Sequence, residues 1–233
     1  MTSRIVAIHQ PNYLPWLGFF HKMSAADIFV FLDTVQFSKN SFQNRNKIRT
    51  SQGWQWLTVP ILAKGRTGQL TKDVRANLRV NWQEKHWHSI QQNYGRASYF
   101  RVHRGFLEDA YLGNEWQLLV DVSMHFIKYM AHSLGITCET IRSSSLGVTG
   151  TGTDHLLDIC LAVGGDVYLS GPSGSAYLDL ERFSQAGVGV RFHAYHHPSY
   201  AQCFEPFLPQ MCAIDLLLNH GSSSGRVLIG GRE

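Results

Sequence analysis

The opening of the chain constrains its fold more than any other segment. Ile5-Val-Ala-Ile-His9 is a β-branched, apolar run with the composition of a buried strand, and Asp27-Ile-Phe-Val-Phe-Leu-Asp33 is a second. Between them residues 16–26 read as a helix in spite of Gly18, entered through a turn stiffened by Pro11 and Pro15. Strand, helix and strand within about 30 residues make a βαβ unit, for which a right-handed crossover between parallel strands is the rule. The rhythm returns late in the chain, with a helix over 153–164 ending in glycine, a strand over 166–170, a helix over 176–185 and a strand over 190–195.

Between these two ends, residues 54–61 alternate in bulk as a strand does, and 65–68 mark a loop. Residues 81–94 and 114–134 carry apolar side chains at helical spacing, among them Trp116, Leu119, Val120, Met124 and Ile127, and 136–141 return to strand. No stretch has linker composition and no period repeats. The expectation is one α/β domain over 1–233, Rossmann-like and three-layered, with a mainly parallel sheet and a helical insertion at about 80–135.

With 44% hydrophobic, 12% aromatic and 16% charged residues, a chain of 233 can bury a large core, which excludes disorder as its dominant state. Its apolar stretches break well short of the roughly 20 residues that span a bilayer, so no membrane span is expected. The first residues run directly into a strand, without the apolar segment and cleavage site of a signal peptide. Cys138, Cys160, Cys203 and Cys212 lie far apart with no CxxC pair, which suggests neither a zinc knuckle nor a disulfide framework. A cytoplasmic protein is expected, and a homo-oligomer is compatible with this composition. The net charge of +4 comes from scattered Lys and Arg, so the expected partner is a small anionic metabolite and not nucleic acid.

In open α/β sheets, ligands bind beyond the carboxyl ends of the strands. Three segments fall at such ends. The first brings His9, Gln10, Asn12 and Tyr13 to the proline turn, where they can present fixed donors; the plain alternative is a strand-end histidine bonded to backbone, with Tyr13 and Trp16 in the core. The second starts at Asp33 and Gln36 and contains Lys39-Asn-Ser-Phe-Gln-Asn-Arg-Asn-Lys-Ile-Arg49, four cations interleaved with amides. Asn44, Arg45 and Lys47 form a candidate anion clamp there, against a solvated loop or a nucleic-acid contact. The third, Ser170-Gly-Pro-Ser-Gly-Ser175, has the composition of an anion-binding loop contacting through Ser170, Ser173 and Ser175, or of a simple N-cap. No metal site is expected: His86 and His88 point apart on a helix, and the histidines of 193–197 lack a clear carboxylate partner. GxSxG is absent and no cysteine has a nucleophile's context.

Several of these segments, taken together, resemble the WbqC-like family almost end to end. They are Ile8-His-Gln-Pro-Asn-Tyr-Leu-Pro-Trp-Leu-Gly-Phe-Phe-His-Lys-Met23, Phe29-Val-Phe-Leu-Asp-Thr-Val-Gln-Phe37, Phe42-Gln-Asn-Arg-Asn-Lys-Ile48, Trp56-Leu-Thr-Val-Pro60, Tyr168-Leu-Ser-Gly-Pro-Ser-Gly174, Tyr195-His-His-Pro198 and Ile214-Asp-Leu-Leu217. The resemblance implies a role in bacterial polysaccharide, O-antigen or small-metabolite pathways, near nucleotide-linked amino sugars. The element order is also distantly similar to nucleotidylyltransferase-type α/β folds, although the HxGH motif is missing, since Gln10, Pro11 and Asn12 follow His9.

The pathway resemblance and the anion-binding loops together imply an enzyme. It would be a transferase, or an ATP-dependent amide ligase using ATP and Mg, that moves an acyl or aminoacyl group onto an amine of a nucleotide-linked sugar or similar metabolite. His9 is the expected general base or hydrogen-bond donor to a phosphate, with Asn12, Tyr13 and Asp33 beside it and Gln10, Gln36, Asn44, Arg45, Lys47, Ser170, Ser173 and Ser175 binding substrate. The alternative is a non-catalytic nucleotide-sugar binding or assembly protein of the same pathways.

Overall fold

The computed structural model describes residues 3–230. In chain order the elements are β1 (Ile5–His9), α1 (Leu17–Ser24), β2 (Ile28–Phe31), β3 (Arg45–Thr50), β4 (Gly53–Thr58), α2 (Trp82–Tyr94), α3 (Phe100–Glu108), α4 (Leu119–Ser133), β5 (Glu139–Arg142), α5 (Gly152–Ala162), β6 (Val167–Ser170), α6 (Leu180–Gln185), β7 (Gly189–Phe192), α7 (Ala213–His220) and α8 (Ser224–Leu228). They pack as two compact units: unit 1 takes in Met1–Pro11, His21–Val35 and Thr137–His196, and unit 2 takes in Asn12–Phe20, Gln36–Ile136 and His197–Glu233.

Unit 1 is a five-stranded, wholly parallel sheet in the order β5-β2-β1-β6-β7. This is the mainly parallel, Rossmann-like α/β sheet that the two βαβ rhythms imply. Its central strands are apolar because both faces are covered: Ile28–Phe31 is buried throughout, and Val6, Ile8, Ile28 and Val30 share a core with Leu156, Ile159 and Cys160 of α5 and Phe183 of α6. The helix expected over 176–185 is shorter than its sequence suggests. Residues Pro172–Ala176 form a 3-10 turn, and α6 begins only after Asp179, whose carboxylate accepts the backbone N–H of Arg182 at 3.2 Å.

Unit 2 holds the antiparallel β3–β4 hairpin, helices α2 to α4, and α7 and α8. The second half of the basic segment is therefore a strand, not a loop. Its last cation, Arg49, is 1% exposed and donates to the carbonyls of Thr50, Gly53, Phe204 and Pro206, which ties the hairpin to the segment before α7. A second hub is Asp215, fully buried, which accepts from Tyr94, Tyr200 and Gln202 at 2.8–2.9 Å. Helix α4 starts at Leu119 and not near 114, because Leu118 is drawn into an extended bridge with Arg75. Gly18 sits within α1 for a packing reason: a Cβ there would lie 2.4 Å from the Trp16 ring.

Among the described residues no helix is long and apolar enough to cross a membrane, and all four cysteines are free.

Candidate functional site

In unit 1, β1 is followed by β2 on one side and meets β6 on the other, so the topological switch point lies at the carboxyl ends of β1 and β6. His9 ends β1 and Ser170 ends β6. Pairing between the two strands stops at Ala7 and Leu169. The His9 carbonyl accepts Leu32 N–H on the β2 side, so the neighbouring Ile8 carbonyl faces β6 just past the last paired residue. The ammonium of Lys22, from α1, fills that position and donates to Ile8 O at 2.8 Å.

Lys22 is 4% exposed. Burial pulls its pKa down to about 8, with the Cys160 side chain acting in the other direction. Next to it the His9 imidazole is lowered to about 4, first by burial and then by the charge of Lys22, with the bond to the Gln10 carbonyl opposing them. His9 Nδ1 lies 2.8 Å from Gln10 O, which makes Nδ1 the protonated nitrogen of the neutral ring.

On the far side of β6, His193 follows β7 and its backbone N–H donates to Ser170 O at 2.8 Å. The His193 ring meets His21 of α1, Nε2 to Nδ1, at 2.7 Å, and Tyr195 stacks nearby. Burial, then His21 and Lys22, hold His193 at about 4. Ser170 is 1% exposed and its hydroxyl donates to Gly171 O; it occupies the space that a Cβ on Gly174 would need, 2.0 Å away. Ser173 and Ser175 are exposed on the following turn, and Ser175 donates to Pro172 O.

Asp33, beyond β2, is engaged by the chain itself. Its carboxylate accepts from Arg142 Nε at 2.7 Å, Ser144 Oγ at 2.8 Å, Ser144 N–H at 2.9 Å and Ser143 Oγ at 3.0 Å, joining the ends of β2 and β5. These donors outweigh its burial and lower its pKa.

The remaining expected residues belong to unit 2. Asn12 is buried. The Tyr13 hydroxyl is 2.6 Å from that of Tyr111 and 2.9 Å from His86 Nδ1, while His86 also bonds the Thr58 carbonyl. Burial holds His86 neutral, its pKa lowered to about 3. Its N–H must then face Thr58 O, so Tyr13 O–H donates to Nδ1 and Tyr111 O–H to Tyr13. Tyr13 is thus a buried relay member. Gln36 is exposed and bridges to Leu70. Asn44 donates to Val59 O at 3.0 Å, and Arg45 and Lys47 lie over the rings of Trp56 and Trp54, at 4.3 and 4.5 Å from their centroids.

Of the expected residues, the sheet edge of unit 1 therefore gathers His9, Gln10, Asp33 and Ser170, and the hairpin of unit 2 gathers Asn44, Arg45 and Lys47. Lys22 and the His21–His193 pair escaped the sequence reading. The signal for Lys22 was present: it lies three residues after Phe19 and four before Ala26, inside an apolar stripe where a lysine is out of place. Among the described residues no group of three His, Cys, Asp or Glu side chains is placed to hold a metal ion.

A model of the WbqC-like protein family matches residues 10–227. The chain belongs to the WbqC-like protein family. This WbqC-like chain is also 31% identical over 220 residues to "Uncharacterized protein Rv1507c" of Mycobacterium tuberculosis (strain ATCC 25618 / H37Rv), covering 94% of this chain and 95% of that protein. No solved structure matches it. Membership supports a role in a biosynthetic pathway.

Proposed function

We propose that the carboxyl edge of the unit 1 sheet binds a nucleotide-linked sugar or similar anionic metabolite, and that the protein transfers an acyl or aminoacyl group onto an amine of that ligand. The observation that carries this reading is the Lys22 ammonium held at the parting of β1 and β6, beside a neutral His9. A desolvated cation at a switch point is strongly attracted to a phosphate or carboxylate, because little solvent screens it. His9 bonds Gln10 O through Nδ1, and its Nε2 takes the proton of the amine as the amine nitrogen bonds the acyl carbon and the acyl donor's bond to its thiol or phosphate leaving group breaks. An anion bound beside it raises its pKa toward the working range of a base. Gln10 and the exposed Ser173 and Ser175 supply polar contacts around the ligand, while the buried Ser170 shapes the turn that carries them.

The edge does not suit a Mg ion. Asp33 is its best-placed carboxylate, and both its oxygens are already filled by four donors from the chain. No step of the reading runs through a metal. The same saturation favours a second reading, a non-catalytic nucleotide-sugar binding protein, since Asp33 then holds the ends of β2 and β5 together and takes no part in chemistry.

Thermal shift with a nucleotide-linked amino sugar, followed by mass spectrometry of its products with acyl donors, tests both. A ligand at about 100 times its dissociation constant adds about 2.7 kcal/mol, a rise of roughly 5–10 °C for a chain of this size. Lys22→Met should abolish the rise, and His9→Asn should keep it while losing product formation by about 10²- to 10⁴-fold. A rise without product for any donor leaves the binding reading. A rise that survives in Lys22→Met overturns the site.

A further inference from the structure

The two units differ in charge. Unit 2 has 16 Lys and Arg against 9 Asp and Glu, a net +7, whereas unit 1 has 5 against 8, a net −3. Cations that look scattered along the chain are therefore concentrated in one unit, and such asymmetry is the electrostatic mark of a polyanion partner.

Within unit 2 the β3–β4 hairpin organises part of that charge together with aromatic rings. Alternation turns Asn46, Ile48 and Leu57 inward, where each is at most 2% exposed. On the opposite face Lys47 pairs with Trp56, and the cations of Arg45 and Lys47 lie over the indoles of Trp56 and Trp54. Phe42 extends the row, its ring 6.0 Å from that of Trp56, which is 5.5 Å from Trp54. Phe42 and Trp54 are each 46% exposed, a large apolar area to leave in water without a partner. Beside the row is a cavity of about 300 Å³ bounded by Trp56, Trp82, Lys85, Gln55, Thr58 and Ser89. Two buried polar atoms at the base of the hairpin, Asn44 Oδ1 and Arg45 Nε, have no hydrogen-bond partner among the described residues.

We propose that this face of the hairpin and its cavity bind a single-stranded polynucleotide, with bases stacked on Trp54 and Phe42, one base in the cavity beside Trp56, and phosphates on Arg45, Lys47 and Lys85. Exposed aromatic rings interleaved with cations are what unpaired bases on a phosphate backbone require. A duplex hides its base faces and does not engage the rings. A lone nucleotide fills the cavity but not the row. This site is independent of the transfer reading of unit 1, and either can fail without the other.

The test is fluorescence anisotropy of the full chain with labelled oligouridine and oligothymidine strands, and with a duplex of equal length, between about 50 and 200 mM salt. Binding of either strand, tighter than of the duplex, is the expected result; preference between the two identifies RNA or DNA as the source. Three phosphate contacts give a log-log salt slope of about −2. Trp54→Ala should weaken binding by about 5- to 150-fold, and Lys47→Gln should make the slope shallower by about 0.7. Both side chains are on the outer face, and melting temperatures check that the variants fold. The proposal is overturned if neither strand binds, if the duplex binds as tightly, or if either folded variant keeps the wild-type affinity and slope.

Discussion

His21 Nδ1 and His193 Nε2 are 2.7 Å apart, so one imidazole must donate to the other and the pair is closed while both are neutral. Burial lowers both pKa values, that of His193 to about 4, as it does for His9. The unfolded chain takes up protons near pH 6.5, while the folded chain resists until about 4. Stability is therefore full above pH 6.5 and falls between 6.5 and 4. Urea midpoints across this range should decline steadily, and His193→Gln should flatten part of the decline. An unchanged profile in that variant would show the pair to be exposed to water.

Lys22 adds a second rise, of the same sign, on the alkaline side. Its folded pKa of about 8 lies below the ordinary lysine value of 10.5, so the folded protein releases this proton first and gains stability between about pH 8 and 10.5. Lys22→Met should lack that gain. In the wild type, affinity for an anionic ligand should drop above pH 8 as the ammonium is lost, measured by calorimetric titration at pH 7 and 9.

Asp33→Asn removes a buried charge and replaces one of its two acceptor oxygens by an NH2, which leaves Arg142 Nε and Ser144 Oγ facing a donor. The expected loss is about 3 kcal/mol, a fall in melting temperature of roughly 6–12 °C. Because the carboxyl pKa is lowered, this contribution is present above 3.8 and disappears only as pH falls through the folded value, below the histidine range. A variant as stable as wild type at pH 7 would refute the role of Asp33 as the tie between β2 and β5.

Tyr13→Phe takes the middle hydroxyl out of the Tyr111–Tyr13–His86 relay and leaves a buried imidazole nitrogen unbonded. A loss of about 1–3 kcal/mol is expected. Turnover per folded molecule, compared with the loss in melting temperature, separates positioning from chemistry: a drop in turnover of more than tenfold in folded protein would give Tyr13 a part in the reaction.

The parallel sheet was legible because strand and helix periods are local properties of a few residues. Ile5–His9, Ile28–Phe31 and Val167–Ser170 carry their burial in their own composition, and a βαβ order leaves little freedom in how they pair. The seven motif segments also carried the family. Tertiary structure alone decided which charges matter. Lys22 reads as an ordinary helical lysine until β1 and β6 part above it and expose one carbonyl for its ammonium. Arg49 reads as part of a solvated basic run until the chain folds four carbonyls around it. Arg45 and Lys47 become a patterned surface only when β4 lays Trp54 and Trp56 beside them. Sequence spacing fixes which way a side chain points within its own element, but desolvation and pairing depend on neighbours distant in sequence, and those lower the pKa values of Lys22, His9 and His193.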